Sequence, residues 1–137
     1  MAQQIGKEVD EATRPFQYAL SCRVGTECVS HILSFLTSED DQATILSIDG
    51  IGAFDSISRQ SMMEKIHSLP EASRLLPFIR LFYGSPSEYT WEDDAGRTHI
   101  IPQGEGGEQG DALMPLLYAL GQYEVLKRVQ ERLGNDE

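Results

Sequence analysis

Ile45-Leu46-Ser47-Ile48-Asp49-Gly50-Ile51-Gly52-Ala53-Phe54-Asp55 is the stretch on which the reading of this chain turns. A short apolar run, strand-like in length and composition, ends on the carboxylate of Asp49. Glycines at 50 and 52 then turn the backbone sharply, and Ala53-Phe54-Asp55 leads into a helix. A strand that carries one acid to its exposed end is a common way to hold a divalent cation, because hard cations take carboxylate oxygens. Phe54 comes soon enough after Asp49, past the turn, to wall the same small pocket. Asp55 has a blander use as a helix cap.

The flanks of this stretch predict one α+β domain, rich in helix, with a small antiparallel sheet. Upstream, residues 1–14 read as a polar lead-in, closed by the helix-breaking Pro15. A helix is predicted from an N-cap at Thr26 to about Ser38, on the spacing of Cys28, Ile32, Phe35 and Leu36. An acidic turn over 38–42 then feeds the strand Thr44–Ile48. Downstream, a helix should cover Ser58 to Ser68, with a capping box at Ser61-Met62-Met63-Glu64 and Pro70 as its stop. A third helix should run from Glu71 to Phe82, interrupted or bent at Pro77. Ser87–Trp91 and Arg97–Ile101 form a hairpin across Asp93-Asp94-Ala95-Gly96. A glycine-rich loop over 103–110 precedes a last helix from Ala112 to about Leu133, in which Pro115 fits only at the first turn.

Composition narrows the function. The chain has 137 residues, enough for one core and short for two. With 22 acids against 11 bases its net charge is −11. A free-standing nucleic-acid binder depends on lysine and arginine meeting phosphates, so weak or no such binding is expected of the chain alone. Much of the excess lies in Ser38–Asp41, Glu92–Asp94 and an acidic tail at 134–137, patterns typical of solvated loops. No apolar run approaches the roughly eighteen residues that cross a bilayer, and the N-terminus lacks a signal-peptide pattern. No membrane partner is therefore expected. Cys22 and Cys28 lack metal-ligand spacing and read as free thiols in a reducing, intracellular setting. His31, His67 and His99 stand singly and read as structural. The loop Gln103–Gly110 could cradle phosphate at a helix N-terminus, but it lacks a Gly-Lys-Ser/Thr ending and is a weak signal alone.

Two segments taken together say more. Asp49-Gly50-Ile51-Gly52-Ala53-Phe54-Asp55, then Gln109-Gly110-Asp111-Ala112-Leu113-Met114-Pro115-Leu116-Leu117, resemble the first and second palm motifs of reverse transcriptases, particularly those of non-LTR retroelements. The first is commonly Asp-x-x-x-Ala-Phe-Asp, the second Gln-Gly-Asp-Pro-Leu-Ser-Pro-Leu-Leu. Ala112 stands where the family has its first proline, and Met114 where it has serine. Weaker similarity through Gln17–Ala19, Gly25–Cys28, Leu81–Tyr83 and the Trp91 hairpin extends the resemblance over about residues 15–125. It implies a partial reverse transcriptase domain over 15–133, a fragment of the right-hand palm and fingers architecture.

The implied parent activity is RNA-directed DNA synthesis by two-metal phosphoryl transfer with Mg²⁺, on an RNA template, a DNA primer and dNTPs. Asp49 would be the catalytic metal ligand, with the Gly50 carbonyl a second metal contact. Ala53, Phe54, Gln109 and Gly110 would contact the nucleotide, Phe54 lying under the incoming sugar where its ring clashes with a 2′-hydroxyl. The family's aromatic-x-Asp-Asp motif, which comes after the second palm motif, has no counterpart after Tyr118. Trp91-Glu92-Asp93-Asp94 has that form, but precedes the second motif and reads as an acidic turn. The isolated chain, truncated at both ends of the domain, is therefore expected to be inactive. The helix carrying Leu113 to Leu126 would pack beneath the missing motif, so exposed apolar surface is expected there. The alternative is a non-catalytic retroelement-derived remnant acting as an interaction module or a decayed gene product. An unrelated Asp-based phosphotransfer enzyme would want a second acid at 51, where Ile51 stands.

Overall fold

The computed structural model describes residues 2–20, 23–70 and 72–134. Cys22, Glu71 and the tail residues Asn135–Glu137, on which parts of the sequence reading fall, lie outside these. The described elements run in chain order as α1 (Ala2–Thr13), α2 (Gly25–Glu39), the single turn α3 (Ala53–Ser56) and α4 (Arg59–Ser68). A 3₁₀ turn (Ala72–Leu75) leads into α5 (Leu76–Tyr83), then β1 (Ser87–Glu92), β2 (Thr98–Gln103) and α6 (Met114–Leu133). The chain is thus a helix-rich α+β fold with one small antiparallel sheet among the described residues.

Its core lies between α4 and α6. Met62 and Ile66 of α4 meet Met114, Leu117 and Leu120 of α6, and all five are essentially inaccessible. Ile79 and Tyr83 of α5 and Ala72 close one side. The two central helices approach closely because Gly121 faces α4: a Cβ there would meet Ile57 Cγ1 at 2.8 Å and Met62 Cγ at 3.0 Å. At the rim Lys65 donates to Glu124 across the helix pair at 3.0 Å, and its ammonium lies 3.7 Å from the Tyr123 ring centroid. That ammonium holds the Glu124 carboxyl below its ordinary range.

The segment that reads as a polar lead-in is helix α1, and it belongs to the core. Ile5, Val9 and Thr13 recur every fourth residue, so they line one face, and all three are buried. Thr13 Oγ1 satisfies itself on the Val9 carbonyl at 2.8 Å. The helix packs against α6 and the 3₁₀ turn. Two apolar residues and one threonine make a stripe too narrow to stand out in a polar sequence.

Other expected elements hold with shifted ends. The cap of α4 is Ser58, whose side chain accepts from the Ser61 N–H at 3.3 Å, rather than a box starting at Ser61. The expected Thr26 cap of α2 is replaced by Val24 in a left-handed conformation. Pro77 and Pro115 sit in the first turns of α5 and α6, where a missing N–H removes no helical bond. The hairpin pairs Ser87 with Gln103 and Glu92 with Thr98.

The strand expected over Thr44–Ile48 does not form: residues 43–50 have no regular structure and are exposed throughout. A strand exists only by pairing, since its N–H and C=O groups need a neighbour's. Among the described residues the sheet has two strands, those of the hairpin, and none lies beside this segment. The apolar face of α2 is likewise uncovered, with Ile32, Phe35 and Leu36 exposed. The apolar face of α6, expected to lie open, is covered by α1 and α4 at Met114, Leu117 and Leu120, while Val125, Val129 and Leu133 further along the helix are exposed.

Candidate functional site: a cleft between the single turn and the glycine-rich loop

Gly52 and the loop after β2 build the candidate site. Gly52 takes a left-handed conformation (φ 57°) and starts α3, whose few residues carry Ala53 and Phe54. The loop then lies along this turn through two backbone bonds. Gly106 N–H donates to the Ile57 carbonyl at 2.8 Å, and Gly107 N–H donates to the Phe54 carbonyl at 2.9 Å. Gly106 has φ 69°, and a Cβ on it would collide with the backbone carbonyl of Asp55. Only glycine permits that approach.

Arg59 holds the same loop from behind. It is 4% exposed, and its charge is distributed over fixed acceptors. Nε donates to the Gly106 carbonyl at 2.7 Å, one terminal nitrogen to the Ser85 carbonyl at 2.8 Å, and the other to Ser87 Oγ at 3.2 Å. The Arg59 backbone N–H donates to Glu105 Oε2 at 2.8 Å. Thus α4, the loop and the base of the hairpin are tied at one side chain. Sequence reasoning misses Arg59, because nothing in its spacing distinguishes it from a solvated arginine at a helix start.

The result is an open cleft of about 420 Å³ lined by Gly52, Ala53, Phe54, Gln109 and Gly110. Segments more than fifty residues apart in sequence thereby share one wall. Phe54 is half-buried, with its ring 5.2 Å from that of Tyr118 and tilted by 59°. Tyr118 and α6 thus hold the aromatic wall from below. Asp49 and Gly50 lie just before this turn, exposed, and neither lines the cleft. Asp55 is also exposed.

Among the described residues no three His, Cys, Asp or Glu side chains come together as metal ligands. The carboxylates among the described residues therefore do not form a two-metal centre by themselves. The Trp91–Asp94 stretch is occupied otherwise. Asp93 Oδ1 accepts from the N–H groups of Ala95 and Arg97 at 3.0 and 2.9 Å. Its Oδ2 contacts Arg97 Nε at 2.9 Å and His99 Nε2 at 3.0 Å. His99 and the Arg97 backbone hold this carboxyl below its ordinary range. It is the organiser of a turn.

Beside the cleft lies a second polar cluster that is not legible in the sequence. Tyr83, almost wholly buried, donates its hydroxyl to Asp111 Oδ2, and Asp111 Oδ1 accepts from the Leu113 N–H at 2.9 Å. Burial, reinforced by the bond to Asp111, pushes the Tyr83 phenol up to about 12. Tyr89 donates its hydroxyl to Glu108 Oε2 and lies at hydrogen-bond distance from Gln103 Oε1, both at 2.6 Å.

The likeness is to a retrotransposon protein. The chain is 27% identical over 90 residues to the "Retrotransposable element SLACS 132 kDa protein" of Trypanosoma brucei gambiense. The match takes in 66% of this chain and 8% of that protein, so the chain spans a small part of its relative's length. No family model matches the chain, and no solved structure does. This partial similarity points to a retroelement origin.

Proposed function

We propose that the chain is part of a reverse transcriptase domain, a piece of palm and fingers whose parent performs RNA-directed DNA synthesis. One observation carries this reading: the two motif-bearing segments, distant in sequence, line a single cleft of about 420 Å³. Chance motif matches carry no requirement to meet in space. The retrotransposon likeness supports the same parentage.

In that parent, Ala53 and Phe54 face the nucleotide from one side and Gln109 and Gly110 from the other. The Phe54 ring, braced by Tyr118, is the flat surface on which a deoxyribose rests and against which a 2′-hydroxyl clashes. Asp49, three residues before Gly52 in the chain, would contribute one carboxylate to the metal, and Gly50 a carbonyl. Polymerisation with Mg²⁺ needs further carboxylates, which the parent supplies from an aromatic-x-Asp-Asp motif outside these residues. The template, primer and dNTPs are partners of that completed domain.

The decisive experiment extends the chain with its downstream coding sequence and assays primer extension on an RNA template with Mg²⁺ and dNTPs. Activity should appear in the extended protein, vanish in Asp49→Ala, and be absent from the 137-residue chain. Phe54→Val in the active protein should raise ribonucleotide incorporation at least about tenfold, since a removed steric block of this kind is worth over about 1.4 kcal/mol. Unchanged sugar selectivity refutes the role of Phe54. A downstream sequence with no aromatic-x-Asp-Asp and no activity leaves the non-catalytic remnant as the correct reading.

A further inference from the structure

We propose that the pocket lined by Phe78, Phe82, Tyr83, Ser87, Glu108 and Asp111 receives the guanidinium of an arginine presented by a basic segment of another protein. The pocket has a volume of about 370 Å³. It shares no lining residue with the cleft at Phe54, so the inference stands independently of the polymerase reading.

The walls are aromatic. Phe78 and Phe82 lie one turn apart on α5, with ring centroids 4.8 Å apart and planes inclined by 50°. They remain 50% and 54% exposed, although their neighbours Ile79 and Tyr83 are buried. Two uncovered aromatic faces beside carboxylates attract a cation, because the ring face carries negative charge density.

The carboxylates are held in place before any ligand arrives. Tyr83 and the Leu113 N–H fix Asp111, and Tyr89 fixes Glu108 at 2.6 Å. A carboxylate offers about four acceptor sites, so these bonds leave each group able to take more. An apolar ligand would strip water from both carboxylates and return nothing. One cation already lies close: the Arg59 guanidinium is 5.3 Å from the Tyr83 ring centroid. It is bonded to Gly106, Ser85 and Ser87, and two carboxylates against one guanidinium still leave an excess of negative charge. The whole chain, at −11, reinforces the attraction of a basic partner.

Arginine fits better than lysine. Its planar, weakly hydrated guanidinium can stack on a phenyl face while its edge donates to a carboxylate. Ammonium is a compact, strongly hydrated charge that gains less from flat walls.

The test is an NMR shift titration of the 137-residue chain with the peptide Ac-Gly-Arg-Gly-NH₂ and its lysine and citrulline counterparts. Saturable shifts should centre on Phe82, Tyr83, Glu108 and Asp111. Citrulline keeps the shape and loses the charge, and should bind at least about tenfold more weakly. Glu108→Gln and Phe82→Leu should each weaken the arginine peptide about threefold to tenfold. Phe78 and Phe82 are half exposed, so leucine there should leave thermal unfolding unchanged, and Glu108→Gln gives a second variant, isosteric and outside the hydrophobic core. Equal binding of citrulline, a preference for lysine, shifts away from this pocket, or no saturable shift would each overturn the assignment.

Discussion

Among single residues, this protein places unusual demands on side chains that look ordinary in the sequence. Tyr83 is one. Its phenol is raised to about 12 in the folded chain, against an ordinary value near 10. The folded state therefore holds this proton more tightly than the unfolded state does. The resulting stabilisation is complete below pH 10 and is lost as pH rises towards 12. Urea unfolding of the wild type and Tyr83→Phe should show a stability difference that shrinks through that window. A difference constant to pH 12 would mean that the phenol is not held this way. Gly106 is the other. With φ 69° and the Asp55 carbonyl against its missing Cβ, Gly106→Ala should cost more than about 2 kcal/mol in chemical denaturation, combining strain with collision. The same change should open the cleft, because the loop bonds to Ile57 and Phe54 depend on that approach.

Among the elements, α1 and the segment 44–48 are the instructive pair. The first has the sequence of a polar lead-in and is a core helix; the second has the sequence of a strand and is exposed coil. Local pattern misleads in both for the same reason. A helix satisfies its own backbone, so two apolar residues on one face suffice once α6 offers a surface. A strand depends on a neighbour that local sequence does not specify. Replacing Ile5 with Ala should therefore cost about 2–4 kcal/mol, as for a buried aliphatic side chain, measured by thermal or urea unfolding. A change within about 0.5 kcal/mol, typical of exposed positions, would return α1 to the status of a lead-in. The helices α4 and α6 stand within a residue or two of their expected bounds. Serine and proline punctuate their starts, and these are local effects.

Across the molecule, charge and uncovered apolar surface dominate. Leu46 is 80% exposed and Ile51 100%, and α2 adds Phe35 at 62%. Uncovered apolar surface of this kind drives self-association. Leu46→Ser with Ile48→Ser should raise the soluble concentration in sedimentation measurements while leaving thermal unfolding unchanged, because neither side chain is in the core. A lowered unfolding temperature would instead show that the segment packs. The charge of −11 sets a second expectation. The isolated chain should show no saturable fluorescence-anisotropy change with an RNA–DNA duplex at physiological salt, since affinity for phosphates scales with the number of basic contacts. Micromolar binding there would contradict the view that any nucleic-acid surface must come from a larger parent.

Local sequence was enough to define the helical face of α6, the hairpin with its turn, and the two motif segments, because periodicity, turn chemistry and spacing are local properties. Resemblance singled out Ala53, Phe54, Gln109 and Gly110. That these four share a cleft, while Asp49 lies outside its lining, was settled in three dimensions, by Gly106 and Gly107 bonding to Ile57 and Phe54. The buried fork of Arg59 and the Tyr83–Asp111 pair were equally invisible: their partners lie 26 to 47 residues away. Contacts of that span carry no periodic signal. They exist because the backbone closes over them, and only then do their distances and their chemistry acquire values.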